Sequence, residues 1–160
     1  MSDILNSGLR GRIDTWLERF PAEHRRSAVL GALREVQKEY GHLTPERMDA
    51  VADYLGLPAI QVYEVGSFYT GFEHQPVGRH TVAVCTNISC WLRGGEEILA
   101  HIEKSLGIRA GESTRDGRIY LKSEEECLAG CCGAPMMQVD HVYHENLTLE
   151  KVDKILGALS

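Results

Sequence analysis

Five cysteines lie in the second half of this 160-residue chain, and their spacing is the first sign of chemistry. Cys85 and Cys90 form a C-x4-C pair, and Cys127 and Cys131 form a C-x3-C pair with Cys132 directly behind it. Cysteine thiolates are the ligands of structural zinc and of iron–sulfur clusters. The pattern therefore predicts a metal site built from two pairs, in which Cys127 could be paired with either Cys131 or Cys132.

Charged side chains are missing around both pairs. If histidine is counted as neutral, residues 80–92 and 127–139 are uncharged, and these two stretches contain every cysteine. Thiolates that share a metal centre concentrate negative charge, so neighbouring carboxylates would be unfavourable, whereas amides and small residues can hydrogen-bond the sulfurs. Ser89, Gly130 and Gly133 suit such loops.

The spacing alone leaves three explanations open. Structural zinc usually has tighter C-x2-C knuckles, although wider spacings occur. The C-x4-C-x2-C run of plant-type ferredoxins is absent, and two wider loops suit a [2Fe–2S] cluster in which each pair holds one iron. A zinc-stabilised binding module is the second explanation, and unligated or redox thiols are the third. Thiol–disulfide enzymes use a C-x-x-C pair, which this chain lacks.

Composition narrows the class of protein. The chain has 23 acidic and 17 basic residues and a net charge of −6, which argues against a nucleic-acid partner. Its N-terminus lacks the basic start and apolar stretch of a signal peptide, and no segment approaches the ~20 apolar residues of a membrane helix. We expect a cytoplasmic protein without direct membrane insertion, in which disulfides do not persist.

The elements that must position the cysteines differ between the two halves. In the first half, apolar residues recur at helical spacing, which predicts a helical bundle. Pro21 ends the first helix, Thr44-Pro45 begins the third, and Gly41 and Gly56 end the second and third. The apolar sets are Ile13, Trp16, Leu17 and Phe20; Val29, Leu33, Val36 and Tyr40; Met48, Val51, Ala52 and Leu55; and Ile60, Val62, Tyr63 and Val65.

The second half is predicted to mix strands with helices. The order β-α-β-β-β-α is close to a thioredoxin-like lobe, and each cysteine pair follows a strand, so their loops can converge at one sheet edge. The fold class is therefore α+β, with a helical domain at residues 1–78 and a cysteine-bearing domain at 79–160. The predicted elements are strands at 80–85, 118–122, 136–139 and 142–144, a helix at 94–106 and a helix capped by Thr148.

Longer motifs carry a family resemblance. Cys85-Thr86-Asn87-Ile88-Ser89-Cys90, Gly111-Glu112-Ser113-Thr114 and residues 126–136 resemble the thioredoxin-like [2Fe–2S] ferredoxin family, specifically the E-type subunit of NADH:quinone oxidoreductases (respiratory complex I). Gly41-His42-Leu43 and Ser67-Phe68-Tyr69 resemble the helical domain of those proteins, so the resemblance covers nearly the whole chain. The chain departs from the family at positions 129–130, where Ala-Gly replaces the frequent Gly-Ala.

The resemblance implies a ligand set. Cys85, Cys90, Cys127 and Cys131 would ligate a [2Fe–2S] cluster, because the family's Cys-x-x-Ala-Pro motif places the fourth ligand at Cys131. Cys132 would then occupy a variable position.

The resemblance also implies a function, that of an electron-transfer subunit beside the flavin of an FMN- and NADH-binding partner, the F-type subunit of complex I. FMN and NAD would lie only in that partner, and residues 1–78 would dock it. The complex, with the rest of its peripheral arm, would hold the chain at the cytoplasmic face of the inner membrane. The chain has no dinucleotide or P-loop motif, so we do not expect it to oxidise NADH alone. The alternative is the equivalent diaphorase subunit of an NAD-linked hydrogenase or formate dehydrogenase.

Three other features have two interpretations each. Phe68, Tyr69 and Phe72 belong either to the core or to a partner surface. The acidic run at 124–126 is either a solvated loop or a docking aid. Gly94-Gly95 is better explained as the start of a helix than as an anion site.

Overall fold

The computed structural model describes residues 4–123 and 127–160 and divides into two compact units, Met1–Pro76 and Val77–Ser160. The acidic run at 124–126 lies outside the described residues, so its two interpretations stay open.

The first unit is helical, as predicted. Its third helix begins where Thr44 Oγ1 accepts a hydrogen bond from the Arg47 backbone N–H at 3.4 Å. Gly41 and Gly56 end the second and third helices in the left-handed region, with φ of 80° and 66°. The elements are α1 (Ser7–Leu17), a 3₁₀ segment (Ala22–Ala28), α2 (Val29–Tyr40), α3 (Pro45–Leu55) and α4 (Ala59–Phe68).

The first helix is shorter than its apolar spacing predicts. It ends at Leu17, and the Phe20 backbone N–H donates to the Leu17 carbonyl in a tighter i+3 turn. The three aromatic residues at and after the end of α4, predicted to belong either to the core or to a partner surface, differ in their burial. Phe72 packs against the buried core, whereas Phe68 and Tyr69 are exposed.

The second unit follows the predicted order with one addition. The short helix α5 was not predicted, because five residues are too few for a helical period to show. The elements are β1 (His80–Val84), α5 (Ile88–Leu92), α6 (Gly95–Leu106), β2 (Ile119–Leu121), a 3₁₀ turn (Cys131–Gly133), β3 (Met137–Val139), β4 (Val142–His144) and α7 (Leu149–Ala158).

In the described part of this unit the strands form a four-stranded sheet of order β2-β1-β3-β4. The strand β1 pairs parallel with β2 and antiparallel with β3, and Val84 lies opposite Met137. The carboxyl ends of β1 and β2 and the start of β3 therefore share one edge of the sheet. The fold class is α+β, and this edge receives the cysteine loops.

Apolar residues of the sheet, α6 and α7 form the core of the second unit. These are Val82, Val84, Ile98, Ile102, Ile119, Leu121, Met137, Val139, Leu147, Val152 and Leu156. Among the described residues, no helix combines the length and the apolar character that a membrane crossing needs.

Candidate functional site

The first cysteine pair is held by regular structure and is buried. Cys85 follows β1 directly and Cys90 lies in α5, and only 2% and 1% of their surfaces are exposed. The Cys85 backbone N–H donates to the Met136 carbonyl at 3.2 Å, which continues the pairing of β1 with β3 beyond the strand. Cys85 is therefore held by the sheet and Cys90 by α5.

Gly95 allows α6 to begin against this loop. A Cβ at this position would lie 2.8 Å from the Cys85 carbonyl oxygen and 2.9 Å from the Cys90 carbonyl oxygen. Backbone atoms cannot rotate aside, so a side chain is excluded. Gly94, with a φ of 87°, turns the chain into the helix. The two glycines thus form a helix start, as predicted, and the second also packs against the cysteine loop.

The second cysteine pair lies on the surface. Cys127 and Cys131 are exposed, and their Sγ atoms are 3.6 Å apart. Between them, Ala129 has a φ of 59°, in the left-handed region that glycine adopts more easily. The departure from the family sequence thus places an alanine where the backbone favours glycine. Cys131 begins the 3₁₀ turn, and Cys132 follows it and is also exposed.

Interactions between the sulfurs connect the two pairs. Burial, followed by a hydrogen bond with Cys85, raises the pKa of the Cys90 thiol to about 11. The Ala129 backbone N–H, followed by hydrogen bonds with Cys131 and Cys85, lowers the pKa of Cys127. The hydrogen bond with Cys127 and the charge on Cys127 raise the pKa of Cys131. Cys85, Cys90, Cys127 and Cys131 are therefore brought together.

Hydrogen-bond donors reach three of these sulfurs. Backbone N–H groups of Ala129 and Met136 donate to Cys127 and Cys90, and each lowers the pKa of its thiol. The Ser89 hydroxyl hydrogen-bonds the Cys131 sulfur and likewise acts to lower the pKa of that thiol. Donors of this kind stabilise thiolates bound to a metal. In the described residues, Cys132 has no hydrogen bond with the other sulfurs.

The donor set fits a two-iron cluster. Among the described residues, no group of three or more His, Cys, Asp or Glu side chains is placed to hold a metal ion. The four thiols form two pairs that hydrogen bonds between the sulfurs link. A [2Fe–2S] cluster takes two thiolates at each iron, so the chemistry of this donor set fits such a cluster.

The first pair sits in a small apolar pocket of its own. Besides Cys85 and Cys90, the pocket contains Leu128, Ala134 and Met136, all buried. Apolar walls of this kind limit access of water to a metal site and influence its reduction potential. Leu128 and Met136 were not predicted from the sequence as part of the site. The available signal was that both lie within the uncharged stretch around the second pair.

A patch of exposed apolar residues lies beside the buried pair. On α5, Ile88, Trp91 and Leu92 expose between 51% and 70% of their surfaces. Trp91 Nε1 donates to Glu96 Oε2 at 2.9 Å, which orients the indole. Sequence reasoning missed this patch, because the helix that carries it was not predicted.

Comparison with known proteins agrees with this geometry. The family model "Thioredoxin-like [2Fe-2S] ferredoxin" matches residues 13–160. An E-type subunit of the NADH-quinone oxidoreductase of Rhizobium meliloti is 45% identical over 148 residues, which cover 92% of this chain and 86% of that protein. The E-type subunit of the NADH-quinone oxidoreductase of Rickettsia conorii is 40% identical over 144 residues, which cover 89% of this chain and 86% of that protein.

Solved structures show the same fold. A chain of an NAD+-reducing [NiFe]-hydrogenase in the air-oxidized state superposes with a TM-score of 0.69 at 19% identity, covering 81% of this chain. The match covers only 22% of the hydrogenase chain, and at this identity it shows the fold alone. From the family match and the curated relatives, the chain belongs to the thioredoxin-like [2Fe–2S] ferredoxin family, and its cofactor is a [2Fe–2S] cluster.

Proposed function

We propose that this chain is the E-type electron-transfer subunit of an NADH:quinone oxidoreductase. One observation carries the proposal. The fold brings two cysteine pairs, separated by 36 residues of sequence, into hydrogen-bonding range of each other at one sheet edge. Relatives with the name of this type of subunit match the chain over most of its length.

We assign four ligands to the cluster. Cys85 and Cys90 would hold one iron, and Cys127 and Cys131 the other. When bound, the cluster supplies a site that accepts and releases one electron at a time. The backbone N–H groups of Ala129 and Met136 donate hydrogen bonds that favour the thiolate forms of Cys127 and Cys90. The apolar pocket around the first pair excludes water.

The choice of Cys131 over Cys132 as the fourth ligand rests on contacts. Cys131 Sγ lies 3.6 Å from Cys127 Sγ, and the Ser89 hydroxyl hydrogen-bonds the Cys131 sulfur. Adjacent residues in a tight turn point in different directions, so only one of the two thiols can face the other pair.

The partner that we propose is the FMN- and NADH-binding protein of the complex, its F-type subunit. Electrons must cross between the two proteins near the cluster, and the exposed α5 patch of Ile88, Trp91 and Leu92 adjoins Cys90 in sequence and space. An exposed apolar patch of this kind is typical of a protein interface. The sequence lacks a dinucleotide-binding motif of its own, so the electrons would come from this partner.

The helical domain, residues 1–78, is proposed to add a second docking surface. Ile60 and Phe68 on α4, and Tyr69 directly after it, are exposed. The rings of Phe68 and Tyr69 pack edge to face with centroids 5.1 Å apart, which fixes an apolar surface at the end of α4. Through these contacts the chain would belong to the peripheral arm, held at the cytoplasmic face of the inner membrane by the complex.

A second candidate is the diaphorase subunit of an NAD-linked hydrogenase or formate dehydrogenase. The observation that favours it is the shared fold with the NAD+-reducing hydrogenase chain, at a TM-score of 0.69. The higher identity to the quinone-reductase relatives, 45% against 19%, makes this the weaker candidate.

Affinity purification from the native cell tests the proposal. The tagged chain is expected to bring down a flavoprotein together with quinone-reductase subunits. Leu92→Glu places a charge in the α5 patch and is expected to weaken capture strongly. Leu149→Glu changes another exposed leucine, in the first turn of α7, and is expected to leave capture intact. A hydrogenase large subunit in place of the quinone-reductase subunits would establish the second candidate. Migration as a free chain would contradict both.

A further inference from the structure

The segment after β4 lies against the second cysteine loop. The Asn146 backbone N–H donates to the Gly133 carbonyl at 2.6 Å, and the Leu147 N–H donates to the Pro135 carbonyl at 2.9 Å. Gly133 and Pro135 follow Cys131 by two and four residues. The backbone of residues 145–147 is therefore held beside the turn that carries the proposed fourth ligand.

Glu145 places its side chain on this turn. A Cβ on Gly133 would lie 2.5 Å from both Cβ and Cδ of Glu145, so the side chain occupies the space that the glycine leaves. A Cβ on Gly130 would lie 3.5 Å from Oε1 of Glu145, which brings the carboxylate to the residue directly before Cys131. The Glu145 side chain thus lies beside both Gly130 and Gly133, which flank Cys131 in the sequence.

The position is unusual because the surrounding loop carries no charge. Residues 127–139 contain no Asp, Glu, Lys or Arg, so the fold introduces a carboxylate that the loop sequence excludes. In the described part of the chain the Glu145 carboxylate forms no ion pair. Lys151 Nζ donates to the backbone carbonyl of Glu145, which holds the segment in place.

Glu145 is exposed, so water screens its carboxylate in part. A negative charge near a redox centre nevertheless opposes the arrival of an electron, and net charge around an iron–sulfur cluster is one determinant of its potential. We propose that the carboxylate of Glu145 lowers the reduction potential of the cluster bound at the four cysteines. This inference rests on the proposed ligand set and adds a residue that sets the potential without being a ligand.

Redox titration of the purified full-length chain, monitored by EPR of the reduced cluster, tests the proposal. Glu145→Gln keeps the shape of the side chain and removes its charge, so its midpoint potential is expected to be more positive than that of the wild type. Glu150→Gln makes the same change in net charge in the first turn of α7 and is expected to leave the midpoint unchanged. Glu145→Ala is expected to raise the midpoint as well.

Equal midpoints for Glu145→Gln and the wild type would overturn the proposal, and so would equal shifts in Glu145→Gln and Glu150→Gln. If Glu145→Gln holds no cluster, Glu145→Ala is titrated in its place, and the absence of a rise there overturns the proposal. An EPR signal missing from the wild type would instead contradict the cluster assignment, so the two failures are distinguishable.

Discussion

The two cysteine pairs supply the same chemistry from different surroundings. The first pair, Cys85 and Cys90, is buried between the end of β1 and α5, and the apolar pocket encloses it. The second pair, Cys127 and Cys131, is exposed on a loop that contains a left-handed alanine and a single 3₁₀ turn. Half of the site is thus part of the folded core, and half lies on the surface.

This difference in burial predicts which cysteine pair is held in place by folding and which is held in place by a bound metal. Buried apolar contacts surround the first pair, sheet pairing holds Cys85 and α5 holds Cys90, so we expect this pair to keep its position without a metal. The second loop is exposed at both cysteines, and the turn that carries Cys131 is closed by the hydrogen bond from the Gly133 N–H to the Gly130 carbonyl at 3.0 Å. We expect metal binding to stabilise the second loop more than the first, since binding energy adds most where folding supplies least.

Substitution of one cysteine in each pair gives the largest expected effects. Both Cys90→Ser and Cys127→Ser are expected to lose the cluster, measured as iron per chain. Only Cys90→Ser places a hydroxyl in an apolar pocket, so the free energy of unfolding of its cluster-free form should fall by about 1–3 kcal/mol in urea denaturation. Cys127→Ser should change that free energy by less than about 0.5 kcal/mol. Equal losses of stability would remove the distinction between the pairs.

Thiol reactivity in the cluster-free chain should differ by at least about 10-fold at pH 8, because the thiolate is the reacting species and its fraction changes more steeply with pKa than its nucleophilicity does. Burial and Cys85 raise the pKa of Cys90 to about 11, whereas the Ala129 N–H lowers the pKa of Cys127. Alkylation by iodoacetamide, followed by mass spectrometry, should therefore label Cys127 first. Labelling of Cys90 should continue to accelerate as pH rises to about 11, after the rate at Cys127 has levelled off. Similar rates at both sites would contradict the assigned burial.

The close approach of α6 to the buried pair predicts an intermediate effect. Gly95→Ala adds a Cβ that would meet two carbonyl oxygens, so the free energy of unfolding should fall by about 1–3 kcal/mol. Gly157→Ala is the matched control, because a Cβ at that position in α7 meets nothing within 4 Å. It should be neutral or stabilise the chain by up to about 1 kcal/mol. Comparable effects in the two variants would contradict the packing at Gly95.

The smallest expected effect on stability comes from His80, at the start of β1, the end opposite Cys85. His80 Nδ1 lies 2.6 Å from Asp140 Oδ2, and its Nε2 lies 3.0 Å from the Ser160 carbonyl oxygen. The hydrogen bond with Asp140, followed by that with Ser160, raises the pKa of His80. The resulting stabilisation is complete below the unfolded pKa of about 6.5 and is lost as pH rises through the folded pKa.

Between pH 6 and 8 the free energy of unfolding should therefore fall by about 1 kcal/mol or less, and His80→Gln should remove this dependence. Urea denaturation at a series of pH values measures it. Iron content should be the same in wild type and variant, since His80 and Cys85 lie at opposite ends of β1. A loss of iron from the variant would show that the two ends are coupled.

The sequence predicts much of the architecture, because its signals are local. Thr44-Pro45 and Gly41 specify helix ends through backbone geometry that is independent of the rest of the fold. The strands predicted at 80–85 and 118–122 likewise correspond to β1 and β2. The α5 helix was not predicted, because its five residues complete little more than one turn and show no helical repeat of apolar residues.

The sequence predicts which stretches carry the candidate site, but it does not predict that one cysteine pair is buried and the other exposed. Spacing and missing charge identify the two cysteine-bearing stretches and leave Cys131 and Cys132 as alternatives, and neither signal distinguishes a buried pair from an exposed one. That distinction arises because Met136 and Leu128 pack against the first pair, and such contacts depend on how the sheet edge brings distant segments together. The placement of Glu145 beside Gly133 has the same origin, and no sequence motif marks it.

The most direct test of the central claim is iron and acid-labile sulfide analysis of the purified wild type, Cys131→Ser and Cys132→Ser. We predict two irons and two sulfides per chain in the wild type and in Cys132→Ser, with a visible absorption spectrum, and loss of both elements from Cys131→Ser. A colourless wild type that contains zinc without sulfide would contradict the cluster. Loss from Cys132→Ser with retention in Cys131→Ser would contradict the ligand set.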